Sequence, residues 1–470
     1  MPRFLRSLVA VIAFVCLALP AAALDPRAGV HGFTLDNGLE VVVIEDARSP
    51  AVTHMLWYRA GAADEPPGIS GIAHFLEHLM FKGTDSRAPG EFSAIVEAQG
   101  GRDNAFTSWD YTAYFQRVAA DRLGLMMELE ADRMANLSFT DAEWLPERDV
   151  ILEERGQVVE SRAGSVFNEI MRAALFKNHR YGIPIIGWRH EMEGLTGDHA
   201  MDFYRAHYGP NNAVLVVAGG VTVDEVRALA EAHYGPIPPN PVVVPRNRPV
   251  EPPHLAERRI IREDARVAQP YVLRQYLAPA RRPGDQREAA ALVLLAELLG
   301  GSPRTSFFAE QLLFAEPALA LSASAFYSPI WLDHGTFGLS IVPAEGVTLQ
   351  EAEDAMDAAV ADFLRAGVDP DRLEVIRARI RASEIYAMDD VQGRARRIGA
   401  AMTSGLTLED ELAWSEILMS VTADEVMEAA AGIFDRNRAV TGWLMAPGGD
   451  VAPRSTGPAR VELPSEQVSQ

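Results

Sequence analysis

Apolar residues recur with two different periods along the first half of this chain. Residues 38–44 and 52–58 show strand-like patterning, with a turn near Ser49-Pro50 between them. Over 70–81 the period changes: Ile72, Phe75, Leu76 and Leu79 recur three and four apart, which predicts a helix. The pattern then predicts a helix over 91–98, and a turn at Gly100-Gly101 leading into a strand pair. A helix follows over 119–133, and another starts at Pro146, a residue favoured in a first turn, and runs to about 161. Helices over 196–207 and 223–233 flank a buried strand at 213–218.

Residues 235–253 carry proline at eight positions and few periodic apolar residues, the composition of an extended linker. It divides the chain into halves of similar length, and the halves repeat. Glu45-Asp46-Ala47-Arg48 returns as Glu263-Asp264-Ala265-Arg266, each between strand-like runs, and Asn212-Ala213-Val214 is answered by Arg438-Ala439-Val440. The expected organisation is α+β: two homologous domains (30–236 and 257–447), each an antiparallel-rich sheet packed on helices, joined by a Pro-rich linker (237–256). In the second domain the apolar segment 289–299 takes the place of the 70–81 helix and contains no histidine. Residues 448–470 have the composition of a disordered tail.

The N-terminus changes the picture of where the chain works. Arg3 and Arg6 precede an apolar run from Leu8 to Leu19, followed by Pro20-Ala21-Ala22-Ala23, which reads as a cleavable signal peptide over 1–23. The single cysteine, Cys16, lies inside it, so the mature chain has neither disulfides nor thiolate ligands, and any metal must be held by His, Asp or Glu. Export without disulfides suits a bacterial periplasm, and no further run is apolar enough to span a membrane after signal cleavage. The net charge of −22 argues against nucleic acid as a partner.

The candidate chemistry sits on the 70–81 helix, in His74-Phe75-Leu76-Glu77-His78. Residues four apart on a helix are neighbours, so His74 and His78 can reach one metal ion. Glu77, one residue before the second histidine, suits a base acting on an activated water better than a third ligand. This is the inverted His-x-x-Glu-His arrangement of zinc peptidases. A catalytic zinc needs three protein ligands and an open position. The third would come from the acidic segment 147–155, where spacing alone does not choose between Glu147, Glu153 and Glu154.

Taken with Asn37-Gly38-Leu39, residues 71–84, Gly100-Gly101, Asn104-Ala105-Phe106-Thr107, 147–154 and 208–219, the chain resembles the pitrilysin family of zinc metallopeptidases. The resemblance lies in the branch of roughly 50-kDa subunits that includes mitochondrial processing peptidase. It implies a fold forming half of a clam-shell, hydrolysis of short or unfolded peptides, and one zinc per chain. It also implies Glu154 as the third ligand, about 76 residues after His78, Glu147 as a supporting acid that does not bind metal, and Glu77 as general base. Asn104 to Thr107 would be an edge strand that pairs with the peptide substrate.

One departure stands out. Self-sufficient relatives carry an arginine and a tyrosine seven residues apart in the second half, where this chain has Phe314 and Leu321; Arg304 and Tyr327 lie nearby at the wrong spacing. The resemblance therefore points to a heterodimer whose homologous partner supplies the Arg/Tyr pair. A self-sufficient homodimer or monomer, or a non-catalytic scaffold subunit, are the alternatives.

Overall fold

The computed structural model describes residues 26–449 apart from Val244, so the signal peptide and all but the start of the tail lie outside the described residues. The first sheet contains β1 (Val30–Thr34), β2 (Glu40–Glu45), β3 (Ala51–Tyr58), β4 (Arg102–Thr107), β5 (Thr112–Ala119) and β6 (Ala213–Gly219). Their order is β1-β2-β6-β3-β5-β4. The second contains β7 (Arg258–Glu263), β8 (Tyr271–Ala278), β9 (Ala320–Tyr327), β10 (Gly335–Pro343) and β11 (Ala439–Met445), in the order β7-β11-β8-β10-β9. Each sheet is antiparallel except at one pair, β2 with β6 and β7 with β11. The first half adds helices α1 (Ile72–Leu79), α2 (Glu91–Ala98), α3 (Leu123–Asn136), α4 (Asp141–Arg155), α5 (Ala163–Leu175), α6 (Arg189–Met192), α7 (Gly197–His207) and α8 (Val223–His233). The second adds α9 (Arg287–Gly300), α10 (Leu349–Ala366), α11 (Pro370–Ala387), α12 (Val391–Thr403), α13 (Leu408–Ser420) and α14 (Ala423–Ile433).

The repeated tetrapeptides form the same turn twice. After β2, Asp46 N–H donates to the Gly219 carbonyl at 2.8 Å, and Arg48 closes back on the Asp46 carboxylate through Nε (2.9 Å) and Nη2 (2.8 Å). After β7, Asp264 N–H donates to Met445 at 2.9 Å, and Arg266 closes on Asp264 at 2.8 and 2.6 Å.

Strands β6 and β11 are buried along their whole length, which requires a cover on both faces of each sheet. One face packs on the half's own helices. The other is covered by exchange: α5 of the first half lays Phe167, Met171 and Leu175 on Leu273, Val440 and Leu444, while α12 of the second half lays Ala395, Ile398 and Met402 on Trp57, Val214 and Val216. The approach is close, since a Cβ on Gly399 would stand 2.1 Å from the Trp57 ring. The two domains interlock rather than merely touch.

The Pro-rich segment is extended, as its composition suggests, but both halves grip it. Arg248 pairs with Asp64 at 2.8 Å in the first half and Asp333 at 3.1 Å in the second. Glu251, buried, accepts the N–H groups of Lys177, Asn178 and His179 at 2.8–2.9 Å. One expectation is corrected: the acidic helix begins at Asp141, not Pro146. Thr140 and Glu143 form a reciprocal cap there, which outweighs the first-turn preference of proline. Pro146 sits inside the helix.

Candidate metal centre

The entry to α1 is fixed by backbone constraints. Gly71 has φ 89°, a left-handed conformation, and a Cβ there would lie 2.6 Å from the Ile186 carbonyl oxygen. The Glu65 carboxylate caps the helix, accepting the N–H groups of Gly71 and Ala73 at 3.0 Å. Burial pushes this carboxyl up to about 8, against the pull of those donors. Glu65 carried no periodic or motif signal in the sequence, because its cap reaches across a Pro-Pro-Gly turn.

On α1, His74 and His78 stand with ring centroids 4.7 Å apart. The Glu154 Oε2 atom lies 3.5 Å from Nε2 of each. Ligand atoms about 2.0–2.1 Å from a tetrahedral zinc lie roughly 3.3 Å from one another, so these separations and this donor set fit the ion. One atom from each of the three residues falls within 4.8 Å of the others. Of the three candidate acids, Glu153 faces solvent and accepts from Gln157 (3.1 Å). Glu147 accepts from His78 Nδ1 at 2.8 Å and pairs with Lys82. That bond fixes a proton on Nδ1 and aims Nε2 at Glu154. Arg155 anchors the end of α4, holding Glu169 bidentately at 2.9 Å and the Gly187 carbonyl at 2.7 Å. Past it the helix widens into a five-residue turn over Gly156–Glu160, which brings Val158 and Val159 to the cavity wall.

The electrostatics are those of a site built for a cation. Burial, then the neighbouring His78, holds His74 down to about 4. Burial also acts to lower His78, but the carboxylates of Glu147 and Glu154 carry it up to about 9. The hydrogen bond to His78 lowers Glu154 against the opposing effect of burial. Burial raises Glu77, opposed by a 2.6 Å hydrogen bond that Thr107 Oγ1 donates to its Oε2.

A cavity of about 610 Å³ opens from His74, Glu77 and Glu154. The edge strand β4 forms one wall through Ala105, Phe106 and Thr107. The four strand residues predicted to meet substrate play unequal parts. Thr107 serves the base, Phe106 packs edge-on against Trp57 at 5.2 Å, and exposed Asn104 accepts the N–H of its neighbour Ala105 at 2.8 Å. In the second half, Phe314 and Leu321 are each 60% exposed. The Tyr327 hydroxyl is spent on the Pro279 carbonyl at 2.5 Å.

Residues 40–188 match the profile of the insulinase family (peptidase family M16), and residues 194–380 match that of the peptidase M16 inactive domain. The chain is 30% identical over 367 residues to the zinc protease PqqE of Helicobacter pylori, covering 77% of this chain and 81% of that protein. It belongs to the insulinase family. A protease from Helicobacter pylori shares the fold with a TM-score of 0.82 at 24% identity, over 88% of this chain and 99% of that one. The periplasmic protease PqqL from Escherichia coli does so with a TM-score of 0.76 at 22% identity, over 90% of this chain and 48% of that one.

Proposed function

We propose that this chain is the zinc-bearing subunit of an endopeptidase that cleaves short or unfolded peptides in the periplasm. The observation that carries the reading is the convergence of His74, His78 and Glu154 beside a buried Glu77 at the mouth of a 610 Å³ cavity. A zinc ion held there supplies Lewis acidity toward a peptide carbonyl and an attacking water. Glu77 takes the water's proton on its carboxylate and returns it to the leaving amine, with Thr107 fixing the orientation of that carboxylate. Glu147 keeps His78 in the tautomer that leaves Nε2 free. The outer edge of β4 accepts the peptide backbone as an added strand, so affinity comes from main-chain bonds and tolerates many sequences.

A homologous partner subunit contributes the Arg/Tyr pair. Phe314 and Leu321 support this division, because neither can donate a hydrogen bond to a developing oxyanion. The test is hydrolysis of an unfolded-peptide library by the full chain, zinc-loaded, with Glu77→Gln as control and metal content measured on both. No hydrolysis despite one bound zinc per chain supports a half-site that needs its partner; where hydrolysis is seen, its loss in Glu77→Gln with zinc retained supports the base assignment, whereas unchanged turnover would sink it. Full activity of the chain by itself would remove the need for a partner.

A further inference from the structure

The cavity beside the candidate metal site is lined by one arginine and no lysine, and that arginine makes no ion pair among the described residues. Arg172 projects from α5, its Nε donating to the Tyr181 carbonyl at 2.6 Å. Its guanidinium lies 3.6 Å from the Trp109 ring centroid and 5.2 Å from that of Trp331. Nη2 is shut off from solvent without a hydrogen-bond partner, and neither Nη atom meets an acceptor among the described residues. Asp110, the acid whose charge acts on Arg172, makes no ion pair with it and is committed to Arg248, the Tyr181 hydroxyl and the Leu332 N–H, while Glu169 is held through both oxygens by Arg155 at 2.9 Å. Burial lowers Arg172 to about 10, which leaves it charged at neutral pH. The aromatic faces and the more distant Asp110 charge offset part of the cost of enclosing a cation, but no carboxylate touches it.

We infer that Arg172 is a specificity-determining residue that receives a carboxylate of the bound peptide, either an Asp or Glu side chain or the free C-terminus. The inference rests on the peptidase reading above and names a feature of its substrates. With Nε spent on Tyr181 and Nη2 enclosed, Nη1 is the donor that meets a carboxylate oxygen in the cavity, a charge-assisted bond. Ser165, Asn168 and Gln275 line the same cavity and make no side-chain hydrogen bond among the described residues, so they can complete the carboxylate's partners. Gln275 comes from β8, so both halves of the chain contribute to the pocket.

The test is equilibrium binding to the full-length, zinc-loaded Glu77→Gln protein, which separates recognition from turnover. The probes are an unstructured peptide with a single Glu moved along it, its Gln counterparts, and each peptide as C-terminal acid and amide. One acid member should bind about tenfold or more tighter than its neutral isostere. A Glu/Gln difference identifies a side chain and an acid/amide difference identifies the terminus. Adding Arg172→Met should erase the preference and leave the neutral peptides' affinity unchanged, and Arg172→Lys, which keeps the charge without the guanidinium, should retain part of it. Equal binding of acid and neutral members overturns the assignment and leaves the peptidase reading standing. Equal weakening of both by Arg172→Met also overturns it, and makes Arg172 a clamp between Trp109 and Trp331. If no peptide binds at all, both readings fall.

Discussion

Helices α1 and α9 answer each other in the two halves, and they solve the same packing problem differently. Each lies against the edge strand of its sheet and against the helix that leads into the last strand of its half, α1 against β4 and α7, α9 against β9 and α14. In α9 ten residues are buried, all of them apolar or glycine. In α1 the buried set includes Glu77, and His74 and His78 converge on Glu154. The second half shows that the scaffold is satisfied by an apolar helix. The polar residues of α1 are therefore a burden on folding, visible in the burial that depresses His74 and raises Glu77, and the scaffold gives no reason for keeping them.

That contrast predicts a double dissociation. Glu77→Gln should lower kcat by about a hundred- to ten-thousandfold, with zinc content and unfolding midpoint unchanged. Leu295→Ala in α9, a fully buried position, should cost about 2–5 kcal/mol in denaturant unfolding and leave metal stoichiometry at one per chain. If Leu295→Ala depleted the metal, or Glu77→Gln unfolded the chain, the separation of roles between the two helices would be wrong. A smaller effect sharpens it. Glu147→Gln removes the charge that orients His78 and should weaken zinc binding by about ten- to a hundredfold, measured by competition with a chelator, since outer partners of metal-bound histidines contribute on that scale.

The helix spacing of His74 and His78, the repeated turns at Asp46 and Asp264, and the buried strand at 213–218 were all legible in the sequence, because each is a local pattern with a local cause. Which acid faces the two histidines was not legible from spacing: Glu147, Glu153 and Glu154 sit on one helix, and only the position of α4 beside α1 separates them. The exchange of α5 and α12 left just an indirect trace. All-apolar strands announce that both faces are covered, but not by which helix. The Pro-rich segment read as a spacer because proline hides what its neighbours do, and Arg248 and Glu251 are what tie it down. Arg172 gave no signal at all, since a lone arginine on a helix is ordinary until its partners prove missing.

The finest difference between the halves lies at the caps of α7 and α14, the two equivalent helices behind α1 and α9. Thr196 Oγ1 accepts the His199 N–H at 3.2 Å, and with histidine at the third helical position no carboxylate returns the bond. Thr422 accepts the Glu425 N–H at 3.2 Å, and Glu425 in turn accepts the Thr422 N–H at 2.7 Å while Arg287 holds it at 2.6 and 2.8 Å. Thr422→Ala should cost about 1 kcal/mol, and Thr196→Ala less, because the Thr422 hydroxyl both accepts the Glu425 N–H and donates to the Glu425 carboxylate at 2.9 Å, whereas the Thr196 hydroxyl makes one bond. The caps should also differ in acid. The Arg287 bond, then the Thr422 N–H, holds Glu425 at about 2, below its ordinary 4.5. A carboxyl depressed in the folded state contributes its stability in full above its ordinary value and loses it as pH falls through the folded one. Thr422→Ala leaves the Arg287 and backbone bonds in place and removes the hydroxyl's smaller share of that depression, so its penalty should be constant above about pH 5 and shrink in part as pH falls from 4.5 toward 2, while the Thr196→Ala penalty has no carboxylate to titrate and stays level. Unfolding of both variants across that range would decide it, and parallel pH profiles would show that the carboxylate adds nothing to the second cap.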